Sequence, residues 1–177
     1  MSKNEIIQNP NLFKQFWNLM TLSFPKNEIR ECEDFVSIAK LNHFAIKAKF
    51  NQKSELEHII THWYLKNFIF IEHFAVSHSL RGKGMGSSIL KTFIENNKRP
   101  IVLEVEPPTD SISRSRIRFY ERLGFTLFHW DYQQPPYRPN DDFLTLLLMT
   151  NSPELLENEN GFQLIKAEIH RRVYASI

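Results

Sequence analysis

Apolar positions along the chain follow two periodicities that divide it into helices and strands. Leu12, Phe13, Phe16, Trp17, Met20 and Phe24 recur at helical spacing behind Asn9-Pro10, which reads as an N-cap and first helical residue. Pro25 closes that run. Ile29, Cys32, Val36 and Ala39 predict a second helix. From residue 43 the period drops to two. Phe44, Ile46, Ala48 and Phe50 face one way and His43, Lys47 and Lys49 the other, as in a half-buried strand. A turn at 51–54 leads to a partner strand from Glu55 to Leu65, with His58 and His62 alternating outward. His-x-x-x-His spacing meets on a helix, not on a strand, so no metal pair is expected there. Phe68 to Val76, apolar except at Glu72 and His73, completes an antiparallel meander.

The pattern then changes abruptly. Arg81-Gly82-Lys83-Gly84-Met85-Gly86-Ser87 holds three of the chain's five glycines and is followed by Ile89, Leu90, Phe93 and Ile94 at helical spacing. The order is strand, glycine-rich turn, helix. A helix start leaves main-chain N–H groups without partners and carries roughly half a positive charge, so it favours a phosphate or carboxylate. Glycine lets that backbone turn tightly and approach a ligand closely. Ile101 to Val105 is a nearly all-apolar strand, as expected when both faces are covered. Asp110 or Ser111 can cap the next helix, which carries Ile112, Ile117, Tyr120 and Leu123 and ends at Gly124. Strands over Phe125–Asp131 and Phe143–Met149 flank a proline-rich loop at 132–140, a plausible lid. A tail over 152–177 keeps Phe162, Ile165, Ile169 and Val173 at helical spacing.

At 177 residues, 42% of them hydrophobic, the chain is expected to form a single domain over 1–177. A net charge of +2 without a basic run gives no reason to expect nucleic acid. One cysteine, Cys32, excludes an intramolecular disulfide and fits a reducing compartment. No signal-peptide pattern and no membrane-length apolar run is present, so a cytoplasmic protein is expected.

The glycine turn lacks the lysine of a phosphate-binding P-loop. A dinucleotide fingerprint can be forced onto Gly82, Gly84 and Ser87, with Glu104 or Glu106 at the distance of a ribose-binding acid. Five polar or bulky residues before the first glycine make that fit poor. Arg81-x-x-Gly84-x-Gly86, entered from a strand ending in Ala-Val, instead resembles the acetyl-CoA signature of the GNAT superfamily of N-acetyltransferases. Arg118-Phe-Tyr120-Glu-Arg-Leu-Gly124-Phe125 resembles its second motif, at typical spacing, and the resemblance covers about residues 43–150, which it implies to be the cofactor core.

The resemblance implies an α/β fold: a mixed, mostly antiparallel sheet of about six to seven strands, flanked by helices and splayed between the fourth and fifth strands. It implies acetyl-CoA as cosubstrate, with the main chain of Phe74, Ala75 and Val76 holding the pantetheine. The N–H groups of Arg81, Gly82, Lys83, Gly84, Met85, Gly86 and Ser87 would hold the diphosphate. Ser113 stands where many members carry asparagine and would donate a hydrogen bond, and Arg116 or Arg114 could meet the 3′-phosphate. The activity implied is acetyl transfer to a primary amine of a small molecule or peptide by direct attack in a ternary complex, without a metal. Tyr120 would protonate the departing thiolate. Glu72, raised by burial or acting through water, is favoured as the base over His73, which alternation sends to the other face. A non-catalytic acyl-CoA-binding module and a dinucleotide-dependent oxidoreductase stay open as alternatives. So do the acceptor, the acyl-chain preference and a homodimer.

Overall fold

A computed structural model describes residues 1–175. The first helix, α1 (Lys3–Gln8), is one the apolar pattern does not announce. Its signal is the capping box Ser2-x-x-Glu5, in which each side chain bonds the other residue's main-chain N–H. α2 (Pro10–Ser23) starts as expected, with the Asn9 carboxamide accepting from the N–H of Asn11 and Leu12 at 3.0 and 3.2 Å. A 3₁₀ turn at Lys26–Glu28 precedes α3 (Cys32–Ile38). The expected face of this helix is corrected. Phe35 and Ile38 are its buried residues, while Cys32 and Val36 are half-buried. Ile29 and Ala39 are buried but lie outside the helix, because it begins three residues later and stops one residue earlier than the periodicity supposed.

The meander is β1 (Phe44–Phe50), β2 (Leu56–Tyr64) and β3 (Ile69–Val76). After it come α4 (Met85–Glu95), β4 (Ile101–Val105), α5 (Ser111–Glu121), β5 (Thr126–Gln134), β6 (Leu144–Thr150) and α6 (Glu159–Ile169). A π-helical turn at His170–Tyr174 follows α6; residues 176–177 of the expected tail lie outside the described residues. Among the described residues, six strands form one sheet in the order β1-β2-β3-β4-β6-β5, with only the β3–β4 pair parallel. One face packs Phe16, Phe35, Phe44, Trp63, Phe70 and Ile165 into a core under α1, α2, α3 and α6. The other packs Ile60, Ile71, Leu90, Phe93, Leu103 and Ile117 under α4 and α5.

Two-sided coverage corrects the reading of β2. His62 does not face outward; it is 0% exposed, with its ring 5.0 Å from that of Phe93 on α4. Ile112, expected among the apolar residues of α5, is 70% exposed.

Two irregularities position the site. The β2–β3 register passes from His62↔Ile71 to Thr61↔His73, so Glu72 is an extra residue, a β-bulge. The bulge breaks alternation. Glu72 and His73 both turn toward the face of Thr61 and Trp63, where Glu72 accepts from Trp63 Nε1 at 2.8 Å and His73 Nδ1 meets Thr61 Oγ1 at 3.0 Å. The expectation of opposite faces is therefore overturned. Second, β3 and β4 pair only at Ile69↔Ile101, Phe70↔Val102 and Ile71↔Leu103. Beyond that point β3 stays with β2, and Glu104 and Val105 of β4 stay with β6. The sheet splays between its third and fourth strands, since this chain's sheet begins at residue 44.

Candidate active site

The turn before α4 is built on two left-handed glycines, Gly82 at φ +74° and Gly84 at φ +73°. Gly84 is the helix N-cap and offers no side chain to satisfy the first turn. Among the described residues, the main-chain N–H groups from Gly82 to Ser87 donate to no protein acceptor. The flanking cations brace the turn. Arg81 Nε donates to the Val76 carbonyl at 2.9 Å and its Nη2 to Ser23 Oγ at 3.0 Å, while Lys83 Nζ donates to the Ser79 carbonyl at 2.8 Å.

A cavity of about 600 Å³ joins this turn to the gap between the strands. The turn contributes Arg81, Gly82, Gly84, Gly86 and Ser87, and the parted strands contribute Ile71 to Val76 and Leu103 to Glu106. From α5 come Arg116, Phe119 and Tyr120, and Arg122 follows at its end.

Several polar groups reach the same cavity from elements far apart in sequence. Glu72, its side chain 1% exposed, accepts from the Arg30 guanidinium, from Trp63 Nε1 at 2.8 Å and from the Tyr137 hydroxyl at 2.8 Å. Burial works to raise its pKa, but the Arg30 charge, helped by His73 and these hydrogen bonds, outweighs it and holds Glu72 below the usual carboxylate value. The expected upward tuning of Glu72 is thus reversed; the structure makes it a fixed anion. His73 is occupied at both nitrogens, by Thr61 Oγ1 at 3.0 Å and the Glu28 carbonyl at 2.9 Å. Burial lowers its pKa despite the neighbouring Glu72.

Glu104 lies across the gap. It accepts from the hydroxyls of Tyr132 and Tyr174, the latter at 2.7 Å. Its pKa is pushed up to about 7, with burial the largest cause, the two tyrosine bonds opposing it and the charges of Glu72 and Glu28 adding to it. Burial also raises Glu28, with Glu106 adding repulsion. Tyr120 is pushed by burial up to about 12, against the opposing pull of Arg116.

Most residues expected at the site line the cavity: Glu72, Phe74, Ala75, Val76, Arg81, Gly82, Gly84, Gly86, Ser87, Arg116 and Tyr120. Arg116 does so while paired with Glu106 at 2.5 Å. Lys83 and Met85 do not line it with their side chains. The expectation for Ser113 is corrected. It is 1% exposed and spent on the α5 cap, where its hydroxyl accepts from the Asp110 N–H and donates to the Asp110 carbonyl, each at 3.2 Å. Residue patterns did not single out Arg30, Tyr174 or Gln134, and named Glu104 only under the poorly fitting dinucleotide reading. For Glu104 a signal existed, since it is a charge inside an apolar strand, whereas Arg30 is hidden among the charged neighbours Glu28, Glu31, Glu33 and Asp34.

Residues 42–127 match the family model described as an acetyltransferase (GNAT) domain. A Bacteroides thetaiotaomicron protein assigned by name to the GNAT family of acetyltransferases is 34% identical, with a TM-score of 0.86 covering 100% of this chain and 97% of that one. YjbC of Bacillus subtilis (strain 168), an acetyltransferase by name, is 39% identical over 70 residues, 38% of this chain and 36% of YjbC, so this chain spans little more than a third of that curated relative. An aminoglycoside 6'-N-acetyltransferase solved with coenzyme A has the same fold at 19% identity and a TM-score of 0.55, over 81% of this chain and 91% of that one. Likeness to the Bacteroides protein along its whole length decides the matter: the chain belongs to the GNAT superfamily of acetyltransferases.

Proposed function

We propose that the protein is an N-acetyltransferase that moves an acetyl group from acetyl-CoA to a primary amine by direct attack in a ternary complex. One observation carries the reading: unpartnered amides from Gly82 to Ser87 open onto a cavity that continues into a parted pair of strands. A diphosphate fits such amides because each N–H bond to an ionised oxygen contributes about 1.5–3 kcal/mol. The unpaired edge of β3 at Phe74, Ala75 and Val76 suits the amide groups of pantetheine, as a strand edge suits an added strand. Arg116 and Arg122 bring cations to the same cavity for the cofactor's remaining phosphate. The neighbour solved with coenzyme A supports the choice of cosubstrate.

Tyr120 is the proposed acid for the CoA thiolate. At a pKa of about 12 it is protonated throughout the working range. A thiol near 8.5 is the stronger acid by about 3.5 units, so a stepwise transfer would cost about 5 kcal/mol. Donation concerted with C–S cleavage avoids that cost. Glu72 serves as the fixed negative charge that anchors Arg30 and Tyr137 beside the reacting groups. Calorimetric titration with acetyl-CoA, followed by thiol release across a panel of primary amines, tests the reading. Binding with turnover of at least one amine is expected. Binding without turnover of any would leave only a carrier of acyl-CoA.

A further inference from the structure

We propose that a second cavity, at the end of the sheet away from the glycine turn, is a binding site for a small polyanion carrying several phosphate or carboxylate oxygens. Its volume is about 380 Å³, within the range of about 300–1,000 Å³ usual for small-molecule sites. The sheet register fixes its place. Tyr64 at the end of β2 pairs with Ile69, and Ile69 pairs with Ile101, the first residues of β3 and β4. Tyr64, Lys66 from the turn after β2 and Arg99 from the approach to β4 line the cavity there. The glycine turn follows the opposite end of β3, and among the described residues none lines both cavities.

Positive charge is concentrated at this end. Arg171 and Arg172 enter the cavity from the π-helical turn, so four permanent cations face one carboxylate, Glu168 of α6. That surplus of three cations exceeds the net charge of +2 for the whole chain, so the remainder of the chain is slightly acidic. A nucleic acid or an acidic membrane calls for an extended basic face, which such a balance does not supply.

Internal pairing does not consume the charge. Glu168 accepts from Arg171 Nη2 at 2.5 Å and lies 3.8 Å from Arg172 Nε, so two guanidinium groups share one carboxylate. Arg99 Nη1 donates to a neutral acceptor, the Leu65 carbonyl, at 3.0 Å. Among the described residues no carboxylate meets Arg99 or Lys66. Cations gathered in a concave site focus their field on whatever enters it. A ligand with two or more negative charges offsets that field, whereas a monoanion leaves most of it. Guanidinium forks hold phosphate and carboxylate oxygens in pairs, and the Tyr64 phenol, 39% exposed, adds a neutral donor.

His43, the residue before β1, also lines the cavity and senses its field. Burial first, then the charges of Arg172 and Lys3, lower its pKa, while Glu168 opposes them. Lys3 reaches it from α1, with Nζ donating to the carbonyls of Leu41 and Phe44 at 2.6 and 2.8 Å. From β2 the Trp63 ring packs beside it, 5.4 Å between centroids. An anion seated among Arg171, Arg172 and Lys66 counters these cations, so it raises the pKa of His43.

The test titrates pyrophosphate, and separately citrate, into the full chain by calorimetry at low salt, with and without excess acetyl-CoA. One anion per chain is expected under both conditions. Lys66→Glu and Arg171→Glu should each weaken binding by at least about 10-fold, since each reverses a charge at the ligand. Lys53→Glu, an exposed cation outside the cavity, should weaken it by less than about twofold through the screened field alone. Tighter binding of pyrophosphate assigns a phosphorylated ligand, and tighter binding of citrate assigns a polycarboxylate. In proton NMR spectra the His43 imidazole, identified through His43→Gln, should titrate at higher pH with pyrophosphate bound. The proposal is overturned if neither anion binds at millimolar concentration, even where a DNA duplex does, if Lys53→Glu weakens binding as much as Lys66→Glu, or if His43 is unmoved. Binding abolished by acetyl-CoA also overturns it, by placing the anion on the glycine turn. Acetyl-CoA affinity and thiol release should be unchanged in Lys66→Glu, so this site stands or falls separately from the acetyltransferase reading.

Discussion

Arg30→Met isolates the buried charge pair that anchors the site. Arg30 is 2% exposed; it donates to Glu72 and to the Val173 carbonyl, and its guanidinium sits 4.4 Å from the Tyr137 ring centroid. Methionine fills much of the volume but removes every donor, so Glu72 is left as a buried anion without its cation. Breaking such a pair costs about 3–5 kcal/mol. At about 2–4 °C per kcal/mol for a domain of this size, the melting temperature should fall by about 10 °C. The loss should depend on pH in a definite sense. With Arg30 present, the folded pKa of Glu72 lies below its unfolded value, so its contribution exists above that value and is lost as pH falls through the folded pKa. Without Arg30, burial alone raises the folded pKa, and stability is lost instead as pH rises through it. The difference between the two proteins should therefore be small near pH 4 and full at pH 7.5. Urea unfolding at both values measures it. Adding Glu72→Gln should recover at least half of the loss, because no unpaired charge then remains. A pH-independent difference, or a double variant as unstable as the single one, would refute the reasoning.

Three further outcomes follow from separate parts of the molecule. Tyr120→Phe should lower kcat by about 10–10³-fold with acetyl-CoA affinity almost unchanged, measured by steady-state kinetics beside calorimetry. Ser113→Ala should cost about 1 kcal/mol in urea unfolding through the α5 cap and leave acetyl-CoA affinity unaltered, the reverse of what a cofactor-binding serine would show. Burial depresses the pKa of His62 to about 4, so the unfolded chain binds the extra proton first and stability falls as pH drops from about 6.5. Between pH 7 and 4.5 that residue should account for about 2–3 kcal/mol, and His62→Phe should flatten the profile in that range.

The elements that follow local rules were legible in the sequence. The Asn9-Pro10 start, the strand at Ile101–Val105, the Asp110 cap and the Gly124 stop stand where spacing and capping chemistry put them. The glycine turn was legible for the same reason, since only glycine accepts two positive φ values so close together. What escaped depends on long-range pairing. The bulge at Glu72 arises from β2–β3 register, which one strand's composition does not encode, and it reversed the assignment of faces at residues 72 and 73. Arg30, Glu72, Tyr137 and Val173 meet only after the segment before α3, β3, the proline-rich loop and the π-helical turn have packed together. Ser113 was misread because its hydroxyl serves its own helix, a competition that residue type alone leaves undecided.

The central claim is that main-chain amides of the Gly82–Ser87 turn hold the diphosphate of acetyl-CoA. Gly84→Val tests it most directly. A Cβ at Gly84 would meet nothing within 4 Å in the protein, so any effect beyond the strain of φ +73° falls on a ligand. The measurement is calorimetric titration of acetyl-CoA into both proteins, with folding checked by thermal denaturation. The account predicts saturable binding to the unaltered protein and at least about 100-fold weaker binding to a folded Gly84→Val, as expected when about two charged hydrogen bonds are lost. Equal affinity in the two proteins, or no binding to either at millimolar acetyl-CoA, would contradict it.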